Sequence, residues 1–424
     1  MGARSFMTIG AIIALFSMDD PISADNPDRA TQSVTLPRRI LWHSVAPWAT
    51  SAYGGQTRLV VRSLRAAGIE VVLSAAAGLA GGSTSWEGFK VLPSPTRVRG
   101  SLRVWIDEVI DSDENDLVVT FADTWRLFHE PLVGLPVLSW TPVESDPLPP
   151  RTAEHFRNTG SSPVAVAQHG VRMFETAGVT ADLVPHGVDL TVYKPMIAGD
   201  RSASRQSARA ILGISNSRFL VGVVASNGSP SVDRKNLVGT IEAIGRFAKR
   251  HDDVSLLLHT DLDGRMSEGR DLRPLLVAAG LKGAAVLATP IPAFRRGLSD
   301  HEMAIRYNAM DVLCAPSAGE GFCVPLLEAQ ACGVPVIASN FSGQPENVGA
   351  GWLVNGSLRW VDALAANFLT PDPEEILDAL DLARRSDDSV FERATRFASV
   401  HSHDDLFVTH WLPLLSRQVP GSVS

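Results

Sequence analysis

From Arg39 onward, short apolar runs alternate with amphipathic stretches, and this alternation restricts the chain to few folds. Ile40–Val45 reads as a strand, and the pair Gly54, Gly55 as a turn into a helix over Gln56–Ala67. Strands are expected at Glu70–Ser74, Phe89–Leu92, Leu117–Phe121, Pro136–Trp140 and Val164–Ala167. Helical patterns at Leu102–Ile110 and Arg151–Asn158 lie between them. The second half repeats the theme. Its strands are expected at Phe219–Ala225, Val254–His259, Ala284–Leu287, Val312–Ala315 and Val336–Ala338, and its helices at Leu237–Arg250, Leu272–Gly280 and Glu302–Ala309. Strands alternating with helices predict parallel sheets covered on both faces, so two such halves predict two α/β domains. A length of 424 residues is enough for two separate cores.

Charge and cysteine usage narrow the function classes. A net charge of −8 argues against broad nucleic-acid binding, which needs a basic face. Three cysteines provide no disulfide framework and point to a reducing compartment, read here as cytoplasmic. Cys314, Cys323 and Cys332 are evenly spaced, but strand, loop and helix would aim them in different directions, so no metal is expected. Cys323, at a helix start, is placed for a lowered thiol pKa; the alternative is that all three are small buried hydrophobes. The apolar run Met7–Phe16 is too short to span a membrane, and residues 1–37 read as a flexible N-terminal segment with Met18 as an alternative start.

The stretch GEGFCVPLLEAQACGVPVIAS, residues 319–339, carries most of the functional information. Glu320 lies in a polar loop, Pro325 suits a first helical turn, and Gly333 suits a helix stop. Glu320 is thereby placed just before a helix N-terminus and Glu328 one to two turns inside it. The exposed amides near Phe322, Cys323 and Val324 form an anion site. Two carboxylates flanking such a site suit a phosphorylated sugar.

Glu320 through Glu328 resembles the Glu-x7-Glu motif of the retaining glycosyltransferases of family 4, the group 1 transferases. That resemblance implies a GT-B architecture, two Rossmann-like domains with parallel sheets facing an interdomain cleft. It implies transfer of a sugar, hexosyltransferase type, from a nucleotide-diphosphate sugar (UDP- or GDP-) to an acceptor hydroxyl with retention of configuration and without a metal. Carried over by position, Glu320 contacts the transferred sugar and transition state, and Glu328 contacts the ribose. The family usually has Gly where this chain has Cys323. VPHGVD, residues 184–189, resembles the family's interdomain segment, with His186 read as structural. In SNGSPSVDRKN, residues 226–236, Lys235 matches the family's diphosphate-binding Lys; Arg234 or amide contacts of Asn227 stand in for its Arg. Lys235 and the helix N-terminus would stabilise the leaving diphosphate.

In the first half, Gly54 and Gly55 sit where phosphate approaches such a sheet, Gly55 on the donor side and Gly54 on the acceptor side. The family's first-domain His has no counterpart after Trp140. Asp123 and Glu144 are the acceptor-side candidates, and His169 beside Gln168 is a further one. Asp261-Leu262-Asp263 imitates a metal motif of another fold and is discounted; Arg295 and Arg296 read as surface residues, and His401, His403, Asp404 and Asp405 as a solvated tail. The domain organisation expected is a first, acceptor domain over 38–190, a linker over 191–216, a donor domain over 217–386, and a closing helix over 387–424 packing back on the first domain. The acceptor is left as a glycan, lipid or small molecule, with at most peripheral membrane contact. The alternatives are a non-catalytic nucleotide-sugar-binding protein, or another GT-B enzyme such as a nucleotide-sugar epimerase.

Overall fold

A computed structural model describes residues 35–94, 101–111, 114–228 and 233–419. Residues 1–34 of the expected flexible N-terminal segment lie outside the described residues, as do 229–232 of the basic loop. The chain separates into two compact units. The first holds residues up to Thr141, His155–Val164 and those from Asp404 on; the second holds Pro142–Glu154 and Ala165–His403.

The opening elements are β1 (Arg39–Val45), α1 (Ala52–Ala66), β2 (Glu70–Ala77), β3 (Thr84–Trp86), β4 (Phe89–Leu92), α2 (Ser101–Val109), β5 (Asp116–Phe121), β6 (Val137–Thr141), α3 (Pro150–Thr159), β7 (Ser162–Ala165), α4 (Gln168–Thr176) and β8 (Asp182–Leu183). They build a sheet in the order β3-β4-β2-β1-β5-β6-β7-β8. β1 pairs in parallel with β2 and β5, and only the edge pair β3–β4 is antiparallel among the registers described. Ile40, Leu41 and Trp42 are all buried, as expected for a central parallel strand covered on both faces. Trp42, Phe121, Trp140 and Trp411 stack at 4.3–6.5 Å between ring centroids and fill the first unit's core.

Helix α1 begins four residues earlier than the expected Gln56. Ser51 is the N-cap, its side chain accepting from the Gly54 amide at 3.2 Å. Gly54 and Gly55 therefore lie inside the first turn rather than in a turn before it. A Cβ on Gly54 would stand 2.2 Å from the Ala49 carbonyl oxygen, so the helix needs glycine there to sit against the preceding loop.

The second unit continues with α5 (Arg201–Leu212), β9 (Phe219–Val224), α6 (Leu237–Ala248), β10 (Val254–His259), α7 (Arg273–Ala278), β11 (Val286–Ala288), α8 (Ile291–Arg296), α9 (Asp300–Ala309), β12 (Val312–Ala315), α10 (Val324–Ala331), β13 (Val336–Ser339), β14 (Gly351–Val354), the hairpin β15 (Gly356–Val361) and β16 (Ala366–Pro371), α11 (Pro373–Arg385) and α12 (Ser389–Ser399). Its six-stranded sheet runs β11-β10-β9-β12-β13-β14 and is parallel throughout. The last elements among the described residues are α13 (His403–Leu406), a π turn over Phe407–Trp411 and α14 (Leu412–Ser416).

Three expectations about organisation differ from this arrangement. The 191–216 stretch contains α5, capped by Asp200 and stopped by left-handed Gly213, and is part of the second unit rather than a linker. Its fully buried Arg209 pairs with Asp311 at 2.6 Å and donates to the Ala309 carbonyl, which ties α5 to the end of α9. Residues 165–190 also fall in the second unit: Val188 and His401–His403 exchange backbone hydrogen bonds at 3.0 Å. A Cβ on Gly187 would stand 2.5 Å from the His403 Cα, so glycine permits that pairing. Of the residues expected in a solvated tail, Asp404 and Asp405 are exposed, whereas His403 is buried.

Candidate active site

Two loops of the second unit carry the site. The first joins β12 to α10. Cys323 caps α10 in the left-handed region, at φ 73°, and Pro325 stands in the first turn. Gly333, at φ 79°, follows the C-cap. The second loop leads into α6. Asp233 and Asn236 are both left-handed, at φ 44° and 48°, and the Asp233 carboxylate accepts from the Leu237 and Val238 amides, each at 3.0 Å. Arg234 and Lys235 are held between these two turns. The Ala318 amide donates to the Arg234 carbonyl at 2.8 Å, which fastens one loop to the other.

Glu320 is the centre of the arrangement. It is buried, its amide donates to the Ser342 hydroxyl at 2.9 Å, and its carbonyl accepts from the Gly343 amide at 2.9 Å. Its Oε1 accepts from the Lys235 Nζ, and its Oε2 from the Arg234 Nη1 at 3.1 Å. The same Nη1 reaches the Gly319 carbonyl at 3.1 Å and the Glu144 Oε1 at 2.8 Å. Burial pushes the Glu320 carboxyl up, but the Lys235 and Arg234 charges and the hydrogen bonds of Lys235 and Ser317 outweigh it and hold the pKa down at about 2. Two cations and two carboxylates thus form one compact cluster.

Backbone approach at this loop is close. A Cβ on Gly319 would lie 2.2 Å from the Glu144 carbonyl oxygen, and one on Gly321 2.2 Å from the Pro142 Cβ. The hairpin closes the same region: the Leu369 amide donates to the Ala318 carbonyl at 2.8 Å, and Asp146 and Asn367 form an antiparallel bridge.

Glu328 lies further along α10. Its Oε2 accepts from the Tyr307 hydroxyl at 2.8 Å. Burial, followed by the Glu328 charge, drives the Tyr307 and Tyr193 phenols far above their ordinary range. Tyr307 and Tyr193 were not singled out in the sequence, where nothing links an aromatic on α9 to an acid on α10. Phe322 is buried edge-on against His186, with ring centroids 5.0 Å apart, and Val324 is the buried first residue of α10.

The other residues named from the sequence take varied places, and some differ from expectation. The Asn227 side chain is buried and donates to the Asp261 and Arg270 carbonyls, both at 2.6 Å, so it pins the 261–270 loop. Asp261 anchors that loop from the other side, accepting from the Met266 and Ser267 amides and the Ser267 hydroxyl. The Cys323 thiol is pushed up to about 12, by burial first and the Glu320 charge second, which reverses the lowering expected from a helix start. Burial lowers His186 to about 3, so it does not titrate near neutrality. His169 is buried, its Nε2 3.0 Å from the Ser145 carbonyl, while Glu346 accepts from the Gln168 and His169 amides at the start of α4. Glu144, expected on the acceptor side, belongs to the second unit. Gly54, Gly55 and Asp123 lie in the first, where Asp123 accepts from the Tyr53 hydroxyl at 2.6 Å. Arg295 and Arg296 are exposed but paired, with Asp263 and Glu302.

Known proteins can now be set beside this geometry. Residues 218–381 match the family model of the group 1 glycosyl transferases. That span contains Arg234, Lys235, Glu320 and Glu328. A D-inositol 3-phosphate glycosyltransferase of Arthrobacter sp. (strain FB24) is 30% identical over 200 residues, 45% of this chain and 42% of the relative. Its counterpart from Xylanimonas cellulosilytica is 31% identical over 208 residues, 47% and 46% of the two chains. The chain thus spans under half the length of these two curated relatives. Among solved structures, the sucrose-phosphate synthase of Thermosynechococcus elongatus superposes with a TM-score of 0.66 at 17% identity, covering 90% of this chain and 98% of that one. Anabaena Alr3699/HepE, in complex with UDP and glucose, gives 0.60 at 16% identity, over 87% and 97%. The fold is GT-B, as the sequence pattern and resemblance implied.

Proposed function

We propose that this chain is a retaining group 1 glycosyltransferase of family 4. It would move a hexosyl group from a UDP- or GDP-sugar to an acceptor hydroxyl without a metal ion. One observation carries this reading. Lys235 and Arg234 converge on the buried carboxylate of Glu320 within three residues of the α10 N-cap, inside the span that matches the family. Breaking the glycosidic bond puts negative charge on the diphosphate, and two cations beside helix amides suit that charge. Glu320, ionised with its pKa near 2, would face the sugar as positive charge develops there. Glu328, held by Tyr307, would accept the ribose hydroxyls. The Asp123 and Gly54 region of the first unit is assigned to the acceptor.

The relatives' names make an inositol phosphate the first acceptor to try, followed by glycans and lipids. No helix among the described residues is long and apolar enough to cross a membrane. Peripheral membrane contact and a cytoplasmic location belong to the proposal.

The test is a panel of UDP- and GDP-sugars scored for nucleoside diphosphate release, with and without inositol phosphate. Release from one donor is expected, reduced about a hundredfold or more by Glu320→Ala and by Lys235→Ala. NMR of the product would show retention at the anomeric carbon. Metal-dependent release that survives both substitutions would overturn the assignment. Tight donor binding without transfer to any acceptor would favour a non-catalytic binding protein.

A further inference from the structure

Arg234 divides one nitrogen among three acceptors, and two of them are carboxylates of unequal burial. The Glu320 side chain is 7% exposed and that of Glu144 is 28% exposed. A buried carboxylate that loses its cation is left uncompensated, which is costly, whereas a partly exposed one is rehydrated by water. When an anion competes for Arg234, the bond to Glu144 is therefore the one that yields. The Glu144 backbone, by contrast, is fixed. Gly319 and Gly321 are packed against the Pro142–Glu144 segment, the Ser145 carbonyl meets His169, and Asp146 bridges to Asn367. A Glu144 carboxylate that yields Arg234 is therefore tethered to a backbone held beside the place its cation left.

We propose that Glu144 is the resting counter-ion of Arg234. It gives up the guanidinium when a nucleotide diphosphate binds and takes it back as the nucleoside diphosphate leaves. This rests on the donor-site reading above. Glu144 is then a positioning residue with a definite electrostatic sign: it keeps Arg234 in place in the empty site and, as a like charge close to the phosphates, limits how tightly they are held.

The experiment is calorimetric titration of UDP and of GDP into the full chain, comparing wild type with Glu144→Gln and Glu144→Asp. Gln keeps the shape and removes the charge, so the nucleoside diphosphate that wild type prefers should bind about fivefold tighter. Asp keeps the charge and should stay within about twofold of wild type. In an Arg234→Gln background the gain from Glu144→Gln should shrink, because the two act as a coupled pair. Donor KM should fall in parallel with the dissociation constant. A purely structural Glu144 would make Gln bind more weakly, and an uninvolved one would leave affinity unchanged; either result overturns the proposal. A wild-type protein that binds neither nucleotide overturns the donor reading and this inference together. Sugar transfer by wild type with no tightening in Glu144→Gln removes this inference alone.

Discussion

Cys323 shows how much one dihedral can decide. At φ 73° and ψ 68° it occupies a region that side-chain-bearing residues enter at a cost of roughly 1–2 kcal/mol, and that glycine enters freely. The resemblance to a family that usually places Gly here now has a geometric reason. Cys323→Gly should consequently fold, staying within about 1 kcal/mol of wild type, since relief of strain offsets the lost side-chain contact. The thiol itself is pushed up to about 12, and burial raises Cys314 and Cys332 as well. Little thiolate exists at pH 8, so the folded protein should react with iodoacetamide far more slowly than the urea-unfolded chain, at all three cysteines. Rapid labelling of Cys323 in the native state would contradict this environment. At this scale, Glu320 and Lys235 were legible because each sits in a contiguous motif. Tyr307 was not, and Glu144 was read as an acceptor-side candidate rather than as a partner of Arg234, because these partners are distant in the chain and only the tertiary fold brings them together.

At the level of elements, periodicity located most strands and helices, and it did so where burial is two-sided. β4, β10 and β12 have the expected limits. It missed α5, whose RSASRQSARAIL is mostly polar although Asp200 and Gly213 mark both ends. It also missed the hairpin, because β15 is exposed along nearly its whole length and its alternation has no core to report. The sequence alone does not show what the glycines of the β12–α10 loop pack against, whereas in the fold Gly319 is there for want of space. Gly319→Ala would bring a Cβ to 2.2 Å from the Glu144 carbonyl and 3.0 Å from the Phe368 ring. The loop must then move away from the Pro142–Asp146 segment, carrying Glu320 with it. The expected outcome is a loss of proposed transferase activity of about a hundredfold, since misplacement by about 1 Å has effects of that size. Far-UV circular dichroism should be nearly unchanged. Wild-type activity in Gly319→Ala would show that the loop has slack which these distances exclude.

For the molecule as a whole, the buried histidines set its behaviour in acid. Burial lowers His43 in the first unit to about 4, and His186 and His259 in the second to about 3 and about 4. The unfolded chain takes up these protons near the ordinary value of 6.5, while the folded chain does not. Below pH 6.5 the unfolded state therefore binds more protons, and stability falls as pH falls, by up to about 1.4 kcal/mol per pH unit for each such histidine until its folded pKa is reached. Glu320 acts in a separate window: its contribution is present above 4.5 and is lost as pH falls towards 2. Between pH 6.5 and 4.5 the histidines dominate, and because burial also lowers His155 and His410 in the first unit and His169 in the second, both units should lose stability. Urea denaturation followed at pH 7, 5.5 and 4.5 should show a midpoint that drops steadily. His186→Asn should flatten that dependence even if it lowers stability at pH 7. A midpoint constant from pH 7 to 4.5 would mean that these rings can be protonated without unfolding, which the burial of His43 and His186 does not allow.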